Sequence, residues 1–85
     1  MNQLKRIPPQ AVEIEESILG TMLVDRQSPT IVFGMLSEDD FYTPYNLIIF
    51  KCIFSLYENN NPIDLLTLEN ELKKNGQLNE GQSTF

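Results

Sequence analysis

Residues 45–57 place Tyr45, Ile48, Ile49, Cys52, Ile53, Leu56 and Tyr57 at helical spacing on one wide face, and Leu47, Phe50 and Phe54 add a second apolar line. An ordinary surface helix carries a single apolar stripe, so a helix apolar on most sides must be surrounded. This is the core element, covered by the rest of the chain or by a partner. Thr43-Pro44 opens it with a cap residue and a proline at the first helical position, where the missing N–H does no harm. Asn59-Asn60-Asn61 ends it, because asparagine tolerates the left-handed backbone almost as glycine does.

Three further segments are candidates for the covering layer. Pro8-Pro9 sets an extended lead-in over 1–10, and a first helix is expected over 11–24 with Glu13, Glu15 and Glu16 in its first turns, favoured by the helix dipole. Its inward stripe is read as Ile14, Ile18 and Met22, with Leu19 and Leu23 beside them. Gly20 in mid-helix costs about 1 kcal/mol relative to Ala, which a closely crossing neighbour would repay. Ser28-Pro29 reads as a cap and first-turn proline of a short helix over 29–36, with Ile31 and Met35, Val32 and Leu36 inward and Phe33 on a flank. Ser37 then caps an acidic turn, Glu38-Asp39-Asp40, pinned by Phe41 and Tyr42. Asp64 caps a last helix over 65–75, with Leu65, Leu68 and Leu72 inward and Lys73, Lys74 and Gly76 at its end. The fold class is all-α: a small orthogonal domain of four to five helices around a long buried central one.

Eighty-five residues, 41% of them apolar, suffice for one small domain and no second. No apolar run reaches the ~18 residues needed to cross a bilayer, and the first residues lack the apolar stretch of a secretion signal, so a cytoplasmic location is expected. Cys52 is the only cysteine, which rules out an internal disulfide and reads as a buried small hydrophobe. Six basic residues against twelve acidic ones give a net charge of −6, and the basic ones pair only as Lys5-Arg6 and Lys73-Lys74. Nucleic-acid binding calls for clustered positive charge, so neither direct DNA contact nor a helix-turn-helix reading fits.

Little here suits catalysis. The chain has no histidine, hence neither the commonest general base near neutral pH nor the commonest imidazole ligand. Counted as a calcium loop from Glu38, the sixth residue is Thr43 rather than glycine and the twelfth is Ile49 rather than glutamate. Gly20 and Gly34 stand alone, with no Lys-Ser or Lys-Thr following, so no phosphate loop exists. Catalytic, cofactor-binding and metal-ligating residues are all expected to be absent.

Pro8-Pro9, Glu13, Glu15, Ser17, Leu19-Gly20, Asp40-Phe41-Tyr42, Ile49-Phe50, Pro62-Ile63-Asp64, Thr67-Leu68, Leu72 and Gly76-Gln77-Leu78 recur here in one order and spacing. As a set they resemble the N-terminal domain of bacterial replicative DNA helicases of the DnaB type. The likeness spans residues 6–78, so 11–78 is read as the helical head. The family often has His-Arg where this chain has Asn46-Leu47, which predicts a less polar start to the central helix. It commonly has glycine near Asn60, a turn that asparagine can keep. The family's later helices and long helical hairpin would follow the polar tail 79–85, so the chain reads as the globular head only, expected as monomers or weak dimers.

The resemblance implies a non-catalytic collar and interaction domain of a hexameric, ATP-dependent helicase that unwinds DNA at the replication fork and works with primase. ATP and Mg would belong to the RecA-like domains of the full-length parent. Partners would be other helicase subunits, primase and, in some bacteria, a loader. No membrane is implied. Leu47, Phe50 and Phe54 are the residues read either as core lining or as a partner surface; if Phe54 is core, an aspartate there should unfold the domain. The structural caps are Ser28, Ser37, Thr43 and Asp64. The other reading is a short stand-alone helical regulator, of phage or anti-factor type, that mimics the helicase head.

Overall fold

A computed structural model describes residues 8–77; the expectations for Leu78, for the tail 79–85 and for the lead-in before Pro8 lie outside them. Four α-helices follow in order, α1 (Pro9–Val24), α2 (Ser28–Met35), α3 (Pro44–Glu58) and α4 (Leu65–Lys74), with a single 3-10 turn, Glu38–Asp40, between α2 and α3. No strand occurs among the described residues. The expected all-α class with a surrounded central helix is what forms. α3 packs against α1, α4 and the 3-10 turn, and α1 packs in addition against α2.

The prolines start the helices as their chemistry requires. Pro9, Pro29 and Pro44 each sit in the first positions of a helix, where no intrahelical donor is lost. α1 begins at Pro9, inside the expected lead-in, so its first turn carries no acid. Two helices end in one device. Asn60 (φ 58°) and Gly76 (φ 74°) hold the left-handed conformation. Asn61 N–H then reaches Leu56 O at 2.9 Å, and Gln77 N–H reaches Leu72 O at 2.8 Å. Asn60 N–H to Tyr57 O and Gly76 N–H to Lys73 O complete two Schellman motifs, which satisfy carbonyls a helix end leaves open.

Leu19 and Met22 of α1, Ile49, Ile53 and Leu56 of α3, and Leu68 and Leu72 of α4 are the fully buried side chains. All of them but Leu56 join in one buried cluster, a three-helix seam. The covering faces depart from the sequence reading in several places. In α1 the inward stripe is Glu15, Leu19, Met22 and Leu23, while Ile14 is 58% exposed and Ile18 only half-buried. In α2 the inward residues are Pro29, Val32, Phe33 and Leu36, and Ile31 and Met35 face solvent. Phe33 is no flank: its ring lies 5.0–5.3 Å from those of Phe50, Phe54 and Tyr57. In the 3-10 turn Phe41 alone pins the backbone, for Tyr42 is exposed. Leu65 of α4 also lies outside the core.

Gly20 corrects another expectation. A Cβ built there meets nothing within 4 Å, so no helix crosses closely at this point. Its cost in helix propensity is unrepaid by packing.

Candidate interaction surface

The polar centre of the molecule is Glu15, buried at 5% exposure among apolar neighbours. Its carboxylate accepts from Tyr42 N–H at 2.7 Å, Asn46 Nδ2 at 3.0 Å and Thr43 N–H at 3.3 Å. One side chain of α1 thereby gathers the entry to α3 and the first turn of that helix. Burial alone would push the Glu15 carboxyl up, but the bonds from Tyr42, Asn46 and Thr43 prevail and hold it below its ordinary value. The positive end of the α3 dipole favours the same charge. Asn46 is thus buried and bonded, so a polar contact is kept at the start of the central helix.

The four cap residues behave differently from one another. Asp64 accepts Thr67 N–H at 2.8 Å, and bonds from Thr67 hold its carboxyl below the usual range. At Ser37 the 3-10 turn is closed in a capping box, with Asp40 accepting Ser37 N–H at 2.8 Å. Ser28 does not cap α2. Gln27 holds the cap position, and the Ser28 hydroxyl donates backwards to Thr21 O and Asp25 O, closing the end of α1 instead. Thr43 holds the cap position of α3 but its hydroxyl makes no cap bond; Glu15 does the holding from outside, and the buried Thr43 oxygen lies near that carboxylate without a geometric hydrogen bond.

Leu47, Phe50 and Phe54 part company. Phe50 is buried, stacked 4.4 Å from Phe41 and 5.3 Å from Phe33. Leu47 is half-buried against the same cluster. Phe54 is 38% exposed and meets Phe33 edge-on, at 5.0 Å and 71°. Phe50 and Leu47 are therefore core, and Phe54 is the outer edge of an aromatic cluster. That edge bounds a groove of about 450 Å³ between α2, the 3-10 turn and α3, lined by Phe33, Leu36, Phe50 and Phe54 with Ser37, Glu38 and Asp39. Elsewhere Gly20, Val24 and Leu65 border a second shallow apolar surface beside Glu16.

Among the described residues no three metal-ligating side chains come together. Cys52 is buried, and burial first, then the charge of Glu71, pushes its thiol up to about 11, far from a reactive thiolate. No helix among the described residues is long and apolar enough to cross a membrane. The sequence reading missed Glu15 and Asn46 as a pair. The signal was available, since Glu15, Leu19 and Met22 recur at helical spacing and so put a carboxylate on the buried stripe.

The family model for the DnaB-like helicase N terminal domain matches residues 7–85. The replicative DNA helicase DnaB of Rhodothermus marinus is 38% identical over 83 residues, covering 98% of this chain and 9% of that protein. Its counterpart in Geobacillus stearothermophilus is 33% identical over 76 residues, covering 89% of this chain and 17% of its own length. The chain thus spans less than a fifth of these curated relatives. The crystal structure of the N-terminal domain of DnaB helicase from Mycobacterium tuberculosis superposes with a TM-score of 0.78 at 35% identity, over 85% of this chain and 52% of that one. In this chain Glu15 ties α1 to the segment before α3, and Leu19 and Phe41 lie in the buried cluster. The chain belongs to the DnaB-like helicase N-terminal domain family.

Proposed function

We propose that this chain is the non-catalytic collar head of a hexameric, ATP-dependent replicative DNA helicase, contributing contacts to neighbouring subunits and to primase while the motor acts elsewhere in the parent. The single observation that carries the reading is the family match over residues 7–85, on a fold in which the one buried charge among the described residues is spent on joining α1 to α3. The residues here do not suit a nucleotide. Among the described residues Gly20 and Gly34 lie inside helices and Gly76 closes one, so none of these three forms a glycine loop that cradles phosphate. ATP and Mg fall to the RecA-like domains of the parent, and the acidic surface leaves DNA to them as well. A helicase loader is a further partner of the same kind.

Fluorescence anisotropy of the labelled chain, titrated with primase and with helicase subunits from the same genome, tests this. Saturable binding to either supports the reading, together with no ATP turnover and no salt-dependent DNA binding. Turnover by the purified chain, or tight DNA binding without any protein partner, contradicts it.

A further inference from the structure

The groove beside Phe54 has two properties that belong together. Its floor is aromatic and aliphatic, made by buried Phe50 and half-buried Phe33 and Leu36, and Phe54 stands at its edge with over a third of its surface in water. Its opposite side is the 3-10 turn, where exposed Glu38 and Asp39 bring two negative charges to the opening. Among the described residues Lys51 pairs with that rim, 3.9 Å from Glu38 with both side chains more than half exposed, an ion pair too wet to neutralise it. Asp40 is already engaged with Ser37 N–H, and Asp39 beside it is exposed. The whole chain carries a net charge of −6, so a positive ligand is attracted from a distance as well as at the rim.

We propose that the groove formed by Phe33, Leu36, Phe50 and Phe54 and rimmed by Glu38 and Asp39 docks a partner peptide segment bearing one bulky apolar anchor flanked by Lys or Arg. A volume of about 450 Å³ accepts one large side chain and part of a neighbour. The anchor covers the exposed face of Phe54 and completes the aromatic cluster that Phe33 begins on its other face. The flanking cations meet Glu38 and Asp39 at the rim, where they set orientation and on-rate more than affinity. The proposal needs neither ring nor motor, and it stands or falls apart from the collar reading.

The probes are two short synthetic peptides with a central Trp-Leu pair, one flanked by lysines and one by glutamates, titrated into the ¹⁵N-labelled chain and followed by NMR. The lysine peptide is expected to shift amides at 33, 36–39 and 54, and to bind at least about tenfold more tightly than the glutamate peptide at low salt, a difference that salt erodes. The double variant Glu38→Lys, Asp39→Lys touches only exposed side chains. It should keep its melting temperature and reverse the preference between the two peptides. Equal binding of both peptides, shifts centred on Val24 and Leu65, or no binding overturns the proposal. So does occupancy by the chain itself, seen as groove shifts without peptide in the variant Lys5→Glu, Arg6→Glu, or as concentration-dependent groove shifts that reveal a second copy.

Discussion

The seam of α1, α3 and α4 and the outer edge around α2 are both rich in large apolar residues, yet they are built to different ends. In the seam, six large side chains are sealed from water, and Glu15, the one buried charge among the described residues, has three donors. At the edge, Ile31, Met35 and Phe54 remain wet, and α2 is held by Phe33, by the Ser28 hydroxyl and by an exposed bond between Thr30 and Tyr57 at 3.1 Å. The difference teaches that apolar content alone does not mark a core. Burial is decided by which face a neighbouring helix covers, and a small domain covers its central helix before its edges.

Adjacent residues of α3 give the sharpest contrast. Ile53→Ala should cost about 2–5 kcal/mol in urea unfolding, because Ile53 is fully buried in the seam and its removal leaves a cavity. A cost below about 1 kcal/mol would break the comparison at its strongest point. Glu15→Ala should cost about 2–3 kcal/mol by leaving buried N–H donors without an acceptor. Because the folded carboxyl lies below its ordinary value of 4.5, its stabilisation is complete above that value and is lost as pH falls through the folded one. Acid titration of stability should therefore be shallower in Glu15→Gln than in the parent chain, and equal slopes would show that Glu15 contributes no such linkage.

At the edge the effects shrink. Phe54→Asp should cost only about 1–2 kcal/mol and leave a folded domain, since the new carboxylate can reach water at a position already 38% exposed. Loss of the helical circular dichroism signal would instead place Phe54 in the core. Gly20→Ala should stabilise by about 1 kcal/mol, read as a raised melting temperature, because the added methyl meets nothing within 4 Å. A fall in melting temperature would mean that this glycine is needed for a close contact after all.

Much of the scaffold was legible in the sequence because its punctuation is local. Pro29 and Pro44 mark helix starts, Asp64 caps through its own neighbour Thr67, and Asn60 and Gly76 mark helix ends, whereas Pro9, expected in the lead-in, already belongs to α1. What could not be read was orientation. α2 offers Ile31, Val32, Phe33, Met35 and Leu36 with only Thr30 and Gly34 among them, so the sequence holds two plausible inward faces and no polar residue to choose between them. Only packing against α1 and the α3 aromatics settles it. In α1 the apolar character of Ile14 drew the stripe away from Glu15, whose burial is stable only because donors from a segment 27–31 residues later converge on it. Of the candidate surface, Phe54 was visible as an apolar residue beyond one face of α3, but its separation from Phe50 and Leu47 depends on where Phe33 lands.

Native-state hydrogen exchange tests the division of the molecule most directly. Amides of α3 and α4 around Ile53 and Leu72 should exchange only through global unfolding, while those of α2 near Val32 and Met35 should open at a distinctly lower free energy with a smaller dependence on denaturant. Identical opening free energies for α2 and α3 would contradict the account, for the edge would then be as much a part of the framework as the seam.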